Sequence, residues 1–407
     1  MLDEDKVTAL AEKAGGAAYI FDEDAFVQNY RALTGTFCAL YPRYRLSYSY
    51  KTNYTPYICR LVKEQGGYAE VVSDMEYELA RRLGYGNDEI VYNGPAKGAA
   101  LDEHVLAGGI CNVDNFTEAA RISRIAELNP ERELKIGLRI NIDLGRGMNS
   151  RFGMSPDEPG FNEMLSMLEG QKNVHITGLH CHLSHARDIA AWEKRVEIML
   201  AAAESFIDGV PEYISLGSGM FGVMEPELAA TFPQPIPDYA QYAAATAGHI
   251  AQHYAAVPEG IRPLLFTEPG TTLVSGYVSL ATHIVDIKTV HGKTYAVTDA
   301  SFYNLGEITK KRNLPMRVIH NGAGDTVENA DIVGYTCLEQ DVLWRGYTGT
   351  LGVGDLLMFG NVGGYSIVSK PQFIRPNCPM YALRADGGMQ EIMRAETFED
   401  IFDKFAF

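Results

Sequence analysis

YSYKTN, residues Tyr48 to Asn53, is the stretch on which the fold reading turns. It closes an alternation of Tyr44, Leu46, Tyr48 and Tyr50, whose period of two is that of a strand. A helical run follows from about Pro56 to Gln65, so Lys51 falls where a strand hands over to a helix. Most lysines are solvated surface charges, and a lone one at a strand end means little. Its company changes that: a His-Cys-His strand end at 180–182, a glycine-rich turn, Glu-Pro-Gly at 268–270 and Cys-x-x-x-Asp at 337–341.

Outward from Lys51 the pattern repeats. Helical spacing at 56–65, 74–83, 115–128 and 193–206 alternates with short apolar runs at 69–72, 90–93, 134–141, 176–182, 213–217 and 264–269. Strict alternation predicts a parallel sheet, and about eight units over roughly 250 residues predict a closed TIM (β/α)8 barrel. An open doubly wound sheet is the rival, but no G-x-G-x-x-G follows the first strand. From Tyr277 onward β-branched runs with Gly and Asp turns replace the helical period. The expected architecture is therefore α/β, a barrel over 27–276 and a β-sandwich or barrel-like domain from 1–26 and 277–407. The strand at 17–21 is expected to join that second sheet. Glu391 to Phe407 reads as a short helix whose aromatics pack on the β domain.

A chain of 407 residues is too long for one small core. A formal net charge of -17 argues against nucleic acid or an anionic membrane as the main partner. The N-terminal MLDEDKVTAL lacks the basic-then-apolar order of a signal peptide, and no apolar run approaches the roughly 20 residues of a membrane span. The six cysteines are scattered without C-x-x-C spacing, which fits a reducing, cytoplasmic compartment. Five read as small buried apolar residues, and only Cys337 sits in a setting that suggests more.

In a barrel the strand C-termini converge on one mouth, which collects Lys51, Glu70, Asn93, Arg139, His180, His182, Gly217 to Gly219 and Glu268. Lysine amine, glycine turn, flat histidine and carboxylate are what a phosphorylated pyridine aldehyde needs, so the set points to a lysine Schiff base with pyridoxal 5'-phosphate. The glycines of LGSGMFG, 216–222, let backbone amides approach a phosphate. His182 can lie against the ring, and Glu268 can keep the pyridine nitrogen protonated and so deepen the electron sink. A metal site at His180, His182 and His185 is the alternative reading of the same run.

YSYKTN, AEVVSDMEYELA, LRIN with SRFGM, GLHCHL, ISLGSGMFG, TEPG, CLEQD and GDLLMFGNVGGY occur in the order seen in the diaminopimelate and ornithine decarboxylase group. The chain thus resembles the fold type III, alanine-racemase-like pyridoxal phosphate enzymes from AYIFDED to about Leu383. That resemblance implies a barrel plus β domain, and a head-to-tail homodimer with active sites at the interface. It implies Lys51 as the Schiff-base lysine, His182 as the stacking histidine, Glu268 as the nitrogen partner, and Gly217, Ser218 and Gly219 as the phosphate loop. Cys337 matches a cysteine that arrives from the other subunit to protonate the α-carbon, Asp341 its companion acid, and Tyr365 a tyrosine that reaches the phosphate. Glu76 resembles an acid supporting the lysine region, and Arg139 and Arg151 arginines near the cofactor or interface.

Three departures stand out. The arginine usual after Glu-Pro-Gly is Thr271, which brings a hydroxyl beside Gly270 but no charge. The Gly-Ser usual after the stacking histidine's next residue is Ser184-His185, and Glu70 stands where an Asp is usual. KKRNLPM, 310–316, resembles an NYPM-containing stretch of relatives that decarboxylate larger or carrier-linked substrates, although three adjacent cations also suit a solvated turn. Arg312, Asp341 and Tyr303 are the candidate substrate contacts, and loops 143–160 and 303–320 set the substrate side chain. The expected activity is decarboxylation of an α-amino acid, diaminopimelate-like or carrier-linked. A racemase on the same fold, and a non-catalytic binding relative, are the alternatives.

Overall fold

The computed structural model describes residues 4–147, 150–384 and 386–407. Met148 and Asn149, within the first of the two substrate loops, and the first three residues of the N-terminal stretch lie outside the described residues. The chain packs as two units. One comprises Tyr30–Phe221 and Pro235–Thr272, the other Met1–Asn29, Gly222–Gln234 and Leu273–Phe407. The barrel was expected as an unbroken 27–276. Instead Gly222–Gln234 packs with the β unit, where Phe232 lies under the Arg312 guanidinium at 3.9 Å and Thr231 Oγ1 accepts from it at 3.1 Å.

Among the described residues of the first unit, eight parallel strands close a barrel: Tyr44–Ser49, Tyr68–Val71, Ile90–Tyr92, Ile110–Val113, Leu134–Arg139, Val174–His180, Tyr213–Ser215 and Leu264–Thr267. The first and last pair in register from Tyr44 opposite Leu265 to Leu46 opposite Thr267, which shuts the ring. Strands covered on both faces read as apolar runs, and Ile90, Val91 and Tyr92 are all fully buried. Several of the following helices start on a side-chain cap. Ser73 accepts the Glu76 amide and Asn115 the Glu118 amide, which fixes the turn between strand and helix. The strand Ile110–Val113 was not foreseen, because ICNV is short, carries Asn112 and follows a Gly-Gly pair that reads as loop.

The barrel interior is filled by side chains. Tyr213 occupies the space opposite two glycines: a Cβ at Gly178 would stand 2.1 Å from its ring, and one at Gly137 2.0 Å from its hydroxyl. Those glycines exist so that the tyrosine can lie across the barrel floor and donate to Asn112 Oδ1 at 2.8 Å.

In the second unit nine strands form one sheet among the described residues. Ala18–Asp22 pairs antiparallel with Val278–Val290 and parallel with Met380–Leu383, so the N-terminal strand does join it. The C-terminal stretch departs from expectation. Met389–Met393 is a strand on Met380–Leu383, and only Phe398–Phe402 is helical. The terminal aromatics stack on one another, Phe398 on Phe402 at 4.4 Å, and Phe407 is 96% exposed, because spacing of four along a helix brings rings together without a covering sheet.

Gly178→Ala is expected to lower the unfolding free energy by about 2 kcal/mol, the scale of an overpacked core. Combined with Tyr213→Leu, the loss should be smaller than the sum of the two single losses. Additive losses in urea melts would show that the tyrosine does not fill that space.

Candidate active site

Lys51 lies in the short turn Tyr50–Thr52 that follows the first barrel strand, as its sequence context predicted. Its Nζ donates to Glu70 Oε2 at 2.6 Å and to Ser49 Oγ at 2.7 Å, while its side chain keeps 32% of its exposure. Glu70 is buried, and Ser49 Oγ donates to the same oxygen. The amine is thus anchored by a buried carboxylate and hydroxyl yet still open to a reactant.

Glu268 follows the last barrel strand and is almost wholly buried. Its Oε1 accepts from Ser215 Oγ at 2.8 Å and Asn93 Nδ2 at 3.1 Å, and its Oε2 from His180 Nε2 at 3.0 Å. Burial alone would raise its pKa, but His180 and the Lys51 charge outweigh it and hold the carboxyl well below the ordinary range. Asn93 bridges both carboxylates, since its amide also donates to Glu70 Oε1 at 3.2 Å. Asn112 donates to Asn93 Oδ1 at 2.8 Å and accepts from Tyr213, which orients the bridge from the barrel floor.

His182 sits just beyond the sixth strand, 3.9 Å from Glu268 Oε2, with Nδ1 accepting the Ser218 amide at 3.3 Å. Burial first, then the Lys51 charge, lowers its pKa well below the usual imidazole value, so the ring is neutral. The glycine turn is tight: Gly217 has φ +60° and Gly219 φ +111°, and Cβ atoms there would meet Cys181 O at 2.5 Å and Leu183 O at 2.4 Å. Gly270 approaches the lysine turn so closely that a Cβ would stand 2.0 Å from Thr52 Oγ1. Thr271 opens the short helix Thr271–Val274, and its neighbour Thr272 donates to Met220 O at 2.7 Å. An amine held by a buried carboxylate, a neutral imidazole, a buried anionic carboxylate and a tight glycine turn are the groups that the aldehyde, ring face, ring nitrogen and phosphate of a phosphorylated pyridine would meet, so these residues fit that cofactor.

The barrel unit therefore brings Lys51, His182, Glu268, Gly217, Ser218, Gly219 and Gly270 onto one set of strand ends. Cys337, Asp341, Tyr365, Arg312 and Tyr303 belong to the other unit. Cys337 is the only exposed cysteine of six free thiols. Asp341 is buried and accepts from the Phe302 amide at 2.8 Å and from the Thr336 amide and hydroxyl at 3.1 and 2.6 Å, so it shapes the Cys337 loop from inside. Tyr303 packs on Phe302 at 4.1 Å, and exposed Tyr365 adopts φ +56°, unusual without glycine. Arg312 lines a cavity of about 400 Å³ with Lys311, Glu227 and Trp344. Arg139 pairs with Asp114 at 2.9 Å, and Arg151 covers Phe152. Of the histidines in the alternative metal reading, His180 is bonded to Glu268 and His185 is exposed. Among the described residues no three His, Cys, Asp or Glu side chains group as ligands.

Sequence reasoning placed His180 at the barrel mouth and gave it no role beyond a possible metal ligand, and it missed Ser49, Ser215, Asn112 and Tyr213. The signal for the serines was available, since Ser215 stands two residues after Tyr213 on an inward strand face, and Ser49 two before Lys51.

An eight-stranded barrel with an amine after its first strand and a caged carboxylate after its last is a cofactor-dependent enzyme of the pyridoxal phosphate type. Residues 28–275, more than half of the chain, match the family described as pyridoxal-dependent decarboxylase, pyridoxal binding domain. The chain is similar to a diaminopimelate decarboxylase of Methanothermobacter thermautotrophicus, 27% identical over 96% of this chain and 92% of the relative. It is also 24% identical to the L-glutamyl-(BtrI acyl-carrier protein) decarboxylase of Niallia circulans, over 98% of this chain and 95% of the relative. Among solved structures, diaminopimelate decarboxylase from M. jannaschii superposes with a TM-score of 0.82 at 23% identity, covering 98% and 94% of the two chains. The chain belongs to the fold type III pyridoxal-dependent decarboxylases, the diaminopimelate and ornithine decarboxylase group. It is accordingly a pyridoxal phosphate-dependent amino-acid decarboxylase, and neither a racemase nor a non-catalytic relative is favoured.

Glu76 supplies a test of the site's electrostatics. Its carboxylate accepts the Val72 amide at 2.7 Å, but burial and then the nearby Glu70 charge raise its pKa to about 7. The folded protein therefore binds a proton there that the unfolded chain has released above pH about 4.5, so stability is lost as pH rises from about 4.5 to 7. The loss is on the order of 3 kcal/mol. Glu76→Gln keeps an acceptor for Val72 and should flatten that fall in urea midpoints of the apoprotein at pH 5 and 8. An unchanged slope would count against it.

Proposed function

We propose that this enzyme decarboxylates an α-amino acid bearing a second polar end, of the diaminopimelate kind or carrier-linked. We infer further that it works as a homodimer with Cys337 completing the partner's site. The observation that carries the reading is the single polar network joining Lys51, Glu70, Asn93 and Glu268 across the barrel mouth. The two relatives named for such substrates support the substrate class, and six free thiols support a reducing, cytoplasmic setting.

Lys51 would hold the cofactor aldehyde, His182 the ring face and Glu268 the ring nitrogen. Gly217, Ser218, Gly219, Gly270, Thr271 and Tyr365 would hold the phosphate. Bound pyridoxal phosphate supplies a sink for the electron pair released when the α-carboxylate leaves. Glu268, kept anionic, would hold a proton at the ring nitrogen and so strengthen that sink. Glu70 and Ser49 accept from Lys51 Nζ and would keep the amine oriented whenever it is free. Cys337, exposed on a loop that Asp341 fixes, returns a proton to the α-carbon. Arg312 and Tyr303 would meet the distal group.

Carbon dioxide release should be seen from one member of a panel of diaminopimelate isomers, ornithine, lysine, arginine and glutamate presented on a carrier protein. Lys51→Ala should lower it by about a thousandfold or more, and Cys337→Ala by about a hundredfold or with a changed product. Exchange of the α-proton for deuterium without carbon dioxide would replace the decarboxylase by a racemase.

A further inference from the structure

Arg195, on the helix Ile189–Phe206, has no exposed surface. Its Nη1 donates to the carbonyls of Leu216 at 2.8 Å and Ser218 at 2.9 Å, and its Nη2 to Leu183 O at 3.3 Å. The guanidinium lies over the Trp192 ring at 4.1 Å, its Nε has no partner, and it forms no ion pair among the described residues. A guanidinium stays protonated even here, so this is a buried cation without a counter-charge, an arrangement that is costly unless a ligand completes it.

The carbonyls it holds belong to the glycine turn. In a trans peptide the C=O and N–H point opposite ways, so fixing Leu216 O and Ser218 O aims the amides of Gly217 and Gly219 away from the arginine. Thr272 Oγ1 holds Met220 O in the same manner. The Gly217 amide makes only a 3.4 Å contact with Ser215 Oγ, and the Gly219 amide meets no acceptor among the described residues. Weakly partnered amides with a positive charge behind their peptides are the electrostatic complement of a phosphate monoester. Position 271 carries no charge, which leaves the turn itself to supply it.

We propose that Arg195 is a positioning residue for the cofactor phosphate, setting the Leu216–Met220 turn and passing its charge through the pinned peptides. The inference rests on reading that turn as the phosphate site. Purified apoprotein is titrated with pyridoxal 5'-phosphate and with pyridoxal, which lacks the phosphate, for wild type, Arg195→Gln and Arg195→Lys. Binding is followed by visible absorbance. The affinity ratio of the two ligands should fall by about tenfold or more in Arg195→Gln and by about threefold in Arg195→Lys, with pyridoxal affinity itself little changed. An unchanged ratio, or parallel weakening of both ligands, overturns the proposal. If Arg195→Gln does not fold, the lysine variant decides, because one ammonium cannot reach all three carbonyls. A wild type without preference for the phosphorylated form would instead overturn the phosphate assignment of the turn.

Discussion

The Glu268 carboxylate, buried yet anionic, is the constraint on which the barrel mouth depends. Removing a carboxylate from water costs several kcal/mol unless its lone pairs are met. Ser215, Asn93 and His180 meet them, each from the end of a different strand. Four of the eight strands are thereby held to one point. A second buried carboxylate, Glu70, adds a fifth, and the Asn93 amide spans the two. Two adjacent buried anions would repel, and Lys51 is the cation whose amine and charge relieve that repulsion. The candidate Schiff-base amine therefore stands where the electrostatics of the fold require a positive charge.

The same economy governs the floor and the rim. Tyr213, lying against Gly137 and Gly178, orients Asn112, which orients Asn93, so a packing decision in the core reaches the site through two amides. Elsewhere the barrel uses a second buried pair: the Lys97 amine is enclosed and bound to Glu118 at 2.7 Å and to the carbonyls of Gly94 and Asn112. That pair ties the third and fourth strand ends together from outside the cofactor site, and it keeps Asn112 in register.

Much of this was legible before the fold was seen. Lys51 at a strand end, the alternation that predicts eight parallel strands, and the glycine turn all depend on local periodicity and on residue types with one strong conformational or chemical use. The pairing of Lys51 with Glu70 and the Asn93 bridge depend on neighbouring strands in register, which no spacing along the chain encodes. Ser49 and Ser215 are ordinary strand serines until a carboxylate is known to face them. The strand Ile110–Val113 was hidden because Asn112 interrupts its apolar pattern, and that residue is polar because it belongs to the site. Helical spacing over 193–206 says nothing of Arg195 in particular; only the packing of its helix against the glycine turn buries it.

Glu268, held ionised by its neighbours, would fix a proton on the ring nitrogen of the bound cofactor. Holoenzyme reconstituted with pyridoxal phosphate labelled with nitrogen-15 in the ring reports that proton directly by NMR. The expected result is the chemical shift of a protonated pyridine nitrogen at pH 8, lost in Glu268→Gln. An unprotonated shift in the wild type would contradict it.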